Sequence, residues 1–261
     1  QGRPKGVPLS HQQILANMMQ VNLAWPRTAG AVCLHVAPMF HSADLLMFSS
    51  VVDGAANAYL GSFSPASFRD AVARYGVTDT MLVPAMIGLL LRGSDGLETD
   101  LASLQRLIYG ASPMPGPRIA ELMQRLPKVR LTQGYGLSET APLLTMLSHA
   151  NHVAAVSGEA PQWLSSCGQP LAGIELRIVD DDGRELSPLE HGEVQARGPN
   201  VFNGYLDDEN ATLSAFDGEW FRTGDVGYLD ESGHLYVVER KTNVIKRGGE
   251  KILPAEVETV I

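Results

Sequence analysis

Apolar and polar positions along the first half of the chain follow two periods, and together these predict helices layered on strands. Ser10 reads as an N-cap with Gln13 as its capping-box partner, and Ile14, Leu15 and Met18 give the helix that follows an apolar face. Pro65 to Tyr75 reads as a second helix, with proline at its first position, Phe68, Ala71, Val72 and Tyr75 along one side, and Gly76 as its stop. Short apolar runs at Val32 to Pro38, Val77 to Val83, Leu104 to Tyr109 and Val129 to Thr132 read as strands, with a helix from about Pro117 to Leu126 before the last of them. This alternation predicts an α/β fold in which helices pack on a mostly parallel sheet. Ligands of such sheets collect beyond the carboxyl ends of the strands, which directs attention to the loops after Tyr109 and Thr132.

After about Val156 the texture changes. Glu175 to Val179, Gly192 to Arg197 and Val226 to Val238 are short runs separated by turn residues, and Glu231 to Gly233 splits the last into a hairpin. The expectation is a smaller antiparallel, barrel-like β subdomain. The shift divides the chain into an α/β part over residues 1–160, incomplete at its start, a β part over 161–239 and a closing segment over 240–261. Pro254 and Glu256 open a helix that stops at Ile261, and the chain starts at Gln1 rather than Met, so the sequence reads as a fragment.

Composition narrows the classes. Of 261 residues 44% are hydrophobic and 19% charged, enough apolar material for a large core and too much for disorder. A net charge of −9, with basic residues dispersed except near the end, offers no docking surface for nucleic acid, and a small-molecule site fits better. The longest apolar stretch, Met81 to Leu91, is too short to span a bilayer, so no integral membrane segment is expected. Cys33 and Cys167 lack the spacing of a metal set or the density of a disulfide scaffold, which points to reduced thiols and the cytoplasm.

Four segments hold candidate chemistry, and each also has a plain structural reading. QGYGLSET, Gln133 to Thr140, is read as a loop in which glycines admit a ligand, Tyr135 offers a face to a purine, Ser138 donates to phosphate and Glu139 holds Mg2+. Composition alone reads it first as a loop with a packed Tyr and a solvated Glu. GLSET misses the GxSxG hydrolase elbow at Thr140. GRPKG, Gly2 to Gly6, is either the tail of a phosphate-cradling loop with Lys5 as its point charge or an exposed turn. In WFRTGDVGYL, Trp220 to Leu229, Asp225 either accepts ribose hydroxyls or caps its own turn. The run Glu239 to Glu258 carries Arg240, Lys246, Gly248 and Gly249, either as a solvated cationic face or as a passage for a phosphate or pantetheine arm. His149 and His152 lack partners for a metal set and read as surface-loop residues, while His41 either lines a pocket or is a core histidine.

In order and spacing these segments, with GASPM at Gly110 to Met114, resemble the adenylate-forming superfamily of acyl-CoA synthetases, peptide synthetase adenylation domains and luciferases. The resemblance implies that residues 1–160 belong to a large adenylation domain and that 240–261 form the hinge and start of a further domain. It makes Lys5 and Ser138 phosphate contacts, Glu139 the Mg2+ ligand, Gly110, Ala111 and Ser112 the adenine and acyl rim, and Tyr135 the adenine stack. Gln133 and Gly134 would touch the adenylate, Asp225 and Arg240 the ribose, and Lys246 would lie near the adenylate at a moving boundary. His41, Pro142, Leu143 and Met146 would line an acid pocket suited to an aryl or medium-length alkyl group, with Gly110 and Gly134 beside them. RGGEKILPAEVE looks most like CoA ligases, with Gly248 and Gly249 bordering the pantetheine, so ATP, Mg2+, CoA and a small carboxylic acid are the implied cofactors and partners. Glu239 and Thr242 depart from the family's hinge pattern. The rest of the phosphate loop is expected before Gln1 and a lysine-bearing domain after Ile261, so the piece alone is expected to bind nucleotide poorly and turn over little. Transfer to a carrier-protein thiol and a non-catalytic binding module remain as alternatives.

Overall fold

The computed structural model of the chain describes residues 4–38, 40–92, 96–241, 245–247 and 250–252. Its elements run α1 (His11–Ala24), β1 (Val32–His35), α2 (Ser42–Met47), α3 (Ser49–Val52), β2 (Ala56–Tyr59), α4 (Pro65–Tyr75), β3 (Asp79–Leu82), α5 (Pro84–Leu91) and α6 (Leu97–Asp100). They continue through β4 (Arg106–Gly110), α7 (Gly116–Arg125), β5 (Arg130–Gly136), β6 (Leu143–Leu147), α8 (His149–Val156) and β7 (Gln169–Pro170). The last are β8 (Glu175–Val179), β9 (Gly192–Arg197), α9 (Glu209–Ala215), β10 (Phe216–Asp217), β11 (Trp220–Leu229), β12 (Leu235–Arg240), β13 (Ile245–Arg247) and β14 (Glu250–Ile252).

The first sheet has strand order β2-β1-β3-β4-β5-β6-β7, parallel from β2 to β5 and antiparallel from β5 to β7. Its strands are apolar on both faces because helices cover both. Leu34, Leu82, Leu107 and Leu131 point to the side where Phe68, Val72, Ile87, Leu90, Ile119 and Leu122 of α4, α5 and α7 pack. Their neighbours Cys33, Met81 and Ile108 alternate to the other side, against Val21, Trp25, Leu46 and Met47. The second sheet is a curled antiparallel half-barrel of order β10-β11-β9-β8, with β12 also pairing with β11. The expected α/β layering and the barrel-like β part are both present. Among the described residues no helix is long and apolar enough to cross a membrane.

The capping boxes at Ser10–Gln13 and Ser64–Ser67 start α1 and α4, and Gly76 ends α4 in the left-handed region at φ 60°. Tyr75, placed on the apolar side of α4 by its period, is instead half exposed. The larger correction concerns α1, whose expected apolar face does not point inward. Gln13, Asn17 and Gln20 are buried with Val21, while Leu15, Met19 and Leu23 are exposed. The three amides dock the helix by donating to main-chain carbonyls of Val201, Leu143 and Ala172 at 2.7, 2.9 and 2.8 Å. A buried amide with its partners satisfied costs little, so the polar face can be the inner one.

Candidate active site

Strands β4 and β5 end side by side, with Gly110 opposite Gly134. A Cβ at Gly110 would lie 2.3 Å from the Gly134 carbonyl oxygen and one at Gly136 would lie 1.9 Å from that of Pro142, so only glycine lets these tips and the returning chain come so close. Gln133 to Gly136 were read from sequence as loop. They are the second half of β5, held in the sheet by β6 on the far side. The chain leaves the sheet only at Leu137, turning through the 3-10 segment Ser138–Thr140. Thr140 fixes that turn: its Oγ1 accepts from the Leu137 N–H at 3.0 Å and donates to the Pro142 carbonyl at 2.7 Å, while the Phe202 N–H donates to the Glu139 carbonyl at 2.8 Å.

Beyond these strand ends lies a cavity of about 380 Å³, within the usual range of roughly 300 to 1,000 Å³ for small-molecule sites. Its lining combines polar His41, Ser138, Glu139 and Arg240 with apolar Leu46, Met81, Pro142 and Leu143, together with Tyr109, Ala111 and Gly134. Ala111 sits in the left-handed region at φ 68°. Leu46, Met81 and Tyr109 were not singled out from sequence. Met81 and Tyr109 lie near the carboxyl ends of parallel strands, which the sheet rule could have flagged, whereas Leu46 of α2 carries no such mark.

Met146, expected in the acid pocket, is not among the lining residues. It pairs with Gly134 across β5 and β6 and packs in the core beside Leu143 and Leu144. Ser112 is exposed beside Ala111, and Gln133 is half buried with its amide 3.9 Å from the Cys167 sulfur; neither lines the cavity. Both cysteines are free and buried.

Asp225 is 2% exposed on β11 and ties the two sheets together. The Tyr135 hydroxyl donates to its Oδ2 at 2.5 Å, and Arg240 Nε lies 2.9 Å from its Oδ1. Burial pushes the Asp225 carboxyl above its ordinary range, and the Tyr135 hydroxyl and Arg240 guanidinium pull it back. Burial and the Asp225 charge hold Tyr135 protonated, so it is a fixed donor. Tyr135 does not line the cavity; its hydroxyl is committed to Asp225. Lys5 is exposed, with its ammonium 4.3 Å above the Tyr205 ring. The backbone of Lys246 lies in β13, but its side chain, Thr242, Gly248, Gly249 and the stretch from Pro254 to Glu256 are outside the described residues.

The two histidines read as surface-loop residues lie on α8. His149 Nδ1 accepts from the Leu131 N–H at 3.1 Å. His152 is fully buried, its Nε2 facing the Tyr109 hydroxyl at 2.9 Å and its Nδ1 facing the Ser148 carbonyl at 2.7 Å, so the pair braces the end of β4 from behind. Burial disfavours the charged ring and lowers the His152 pKa to about 4. A folded pKa below the unfolded value means the unfolded chain binds the extra proton as pH falls. Stability is therefore complete above about 6.5 and declines toward the folded pKa, by about 3 kcal/mol at pH 4. Urea denaturation at pH 7 and pH 4 checks this: a His152→Asn variant should lose about 3 kcal/mol less than wild type on acidification.

A buried carboxylate paired with an exposed guanidinium, a turn bearing Ser and Glu, and a cavity lined by both polar and apolar side chains thus meet at the strand ends. Residues 1–206 match the family described as AMP-binding enzyme, and the chain belongs to that family. It is 34% identical to 4-coumarate--CoA ligase 2 of Oryza sativa subsp. japonica over all of this chain and 46% of that protein. It is also 34% identical to 2-succinylbenzoate--CoA ligase of Bacillus velezensis over all of this chain and 51% of that protein. O-succinylbenzoate Coenzyme A Synthetase from Bacillus subtilis, in complex with ATP and magnesium ion, superposes with a TM-score of 0.86 at 32% identity, over 99% of this chain and 52% of that one. The chain thus spans about half the length of the curated relatives it matches.

Proposed function

We propose that the intact protein joins a carboxylic acid to ATP, giving an acyl adenylate and pyrophosphate, and then passes the acyl group to the thiol of CoA. The carrying observation is a single cavity lined both by polar Ser138, Glu139 and Arg240 and by apolar Leu46, Met81 and Leu143. CoA ligases among the relatives support the same reading. In the first half-reaction a carboxylate oxygen attacks the α-phosphorus and the bond to pyrophosphate breaks. In the second the thiol sulfur attacks the acyl carbon, AMP leaves, and the thiol proton goes to solvent. Both steps depend on positioning and on neutralising phosphate charge, with no covalent protein intermediate.

Gly110, Ala111 and Ser112, with Tyr135, frame the adenine, and Gln133 and Gly134 abut the adenylate. Asp225 and Arg240 take the ribose hydroxyls, each carboxylate oxygen keeping lone pairs beyond those spent on Tyr135 and Arg240. Lys5 and Ser138 face phosphate, Lys246 stands near the adenylate, and Gly248 and Gly249 border the pantetheine. Glu139 fits a metal role, since its Oε1 is hydrogen-bonded while its Oε2 has no partner among the described residues. One carboxylate completed by phosphate oxygens is a donor set that suits Mg2+, and the described residues hold no cluster of three or more acidic, His or Cys ligands. Bound there, Mg2+ would neutralise phosphate charge. His41, Pro142, Leu143 and the newly found Leu46 and Met81 suit an aryl or medium-length alkyl acid. Two buried free thiols support a cytoplasmic setting.

Incubating the intact protein with ATP, Mg2+, CoA and a panel of such acids, with mass spectrometry of the products, tests the acceptor. Acyl-CoA and AMP in equal amounts are expected. Acyl adenylate without thioester would point to a carrier-protein acceptor instead, and no adenylate with any acid to a binding module.

A further inference from the structure

The segment from Val201 to Leu206 lies outside every motif read from the sequence, yet it touches both Lys5 and Glu139. The Leu206 N–H donates to the Gly6 carbonyl at 2.9 Å, next to Lys5, and the Phe202 N–H donates to the Glu139 carbonyl at 2.8 Å. Between these two clamps the Tyr205 hydroxyl donates to Glu139 Oε1 at 2.9 Å. The ring of Tyr205 is itself held in place. Phe202 packs edge-on at 4.9 Å, the Lys5 ammonium sits 4.3 Å from the ring centre, and the Tyr205 N–H donates to Thr212 Oγ1 at 2.8 Å. Gly204 permits this close pass, since a Cβ there would meet the Thr212 side chain at 2.5 Å.

We infer that Tyr205 is a positioning residue for the metal-binding carboxylate, engaging one oxygen of Glu139 so that the other faces the nucleotide phosphates, while its ring seats Lys5 on the same side. The inference rests on the reading of Glu139 as the Mg2+ ligand. Loss of a partner that orients a metal ligand in this way typically costs about 10- to 100-fold in metal affinity.

The test is ATP affinity of the intact protein by calorimetry, once in excess Mg2+ and once in EDTA; the ratio isolates the metal's contribution without turnover. In Tyr205→Phe, which keeps the ring beneath Lys5, the Mg2+-dependent gain should fall about tenfold, with the ATP affinity in EDTA and the melting temperature unchanged. Tyr205→Gln, which returns a donor without the ring, should recover part of the gain; a purely structural ring would leave Gln worse than Phe. A Tyr205→Phe gain equal to wild type, with the gain abolished in Glu139→Ala, would overturn the inference and leave the Glu139 reading standing. A full gain in Glu139→Ala would overturn both.

Discussion

Replacing Asp79 by Ala should lower the unfolding free energy by about 3 to 5 kcal/mol, the usual cost of leaving a buried charge without its counter-ion. Asp79 opens β3 and Arg106 opens β4 as direct cross-strand partners. Asp79 is fully buried and Arg106 only 6% exposed. The guanidinium grips the carboxylate with two hydrogen bonds, Nε to Oδ1 at 2.5 Å and Nη2 to Oδ2 at 2.9 Å, and donates through Nη1 to the Pro26 carbonyl at 2.6 Å. Arg27, also buried, approaches the same carboxylate at 3.9 Å and pairs with Asp53 at 3.0 Å. Without Asp79 two guanidinium groups share the base of the sheet with only the half-exposed Asp53. Denaturant titration reads the loss, and the double variant Asp79→Ala, Arg106→Met should regain most of it, because it removes the unpaired charge along with its partner. A loss below about 1 kcal/mol would mean the pair contributes no more than a surface one.

Glu139→Ala should reduce acid-dependent exchange of pyrophosphate into ATP by about a hundredfold or more, the scale seen when one preorganised charge contact to a transition state is removed. Glu139 is half exposed, its main chain is pinned by Phe202, and among the described residues its side chain hydrogen-bonds only Tyr205, so the substitution leaves the core untouched. The melting temperature should therefore stay near wild type while exchange collapses. Glu139→Asp, which keeps the charge but withdraws it by one methylene, should fall between the two.

The contrast between these positions shows what a sequence displays and what it hides. Helix signals are local, so Ser10 and Gln13 announced α1, and Pro65 and Gly76 announced α4, correctly. The motif residues were readable because glycine, hydroxyl and carboxylate crowd together around Gln133 to Thr140. The same glycines disguised Gln133 to Gly136 as loop, although the sheet needs them as strand. The inward face of α1 was misread because its docking amides bond to carbonyls more than a hundred residues away in sequence. Tyr205 and His152 were hidden for a related reason, since their partners Glu139 and Tyr109 are brought near only by the fold. Asp79 and Arg106 stood as isolated charges in apolar runs, and only the register of β3 with β4 makes them a pair.

The central claim is that this chain carries the adenylating site of an acid–thiol ligase, and the most direct measurement is exchange of labelled pyrophosphate into ATP by the intact protein, with and without aryl and alkyl acids. The account predicts exchange that requires both an acid and Glu139. Absence of exchange with every acid, or exchange that proceeds equally in Glu139→Ala, would contradict it.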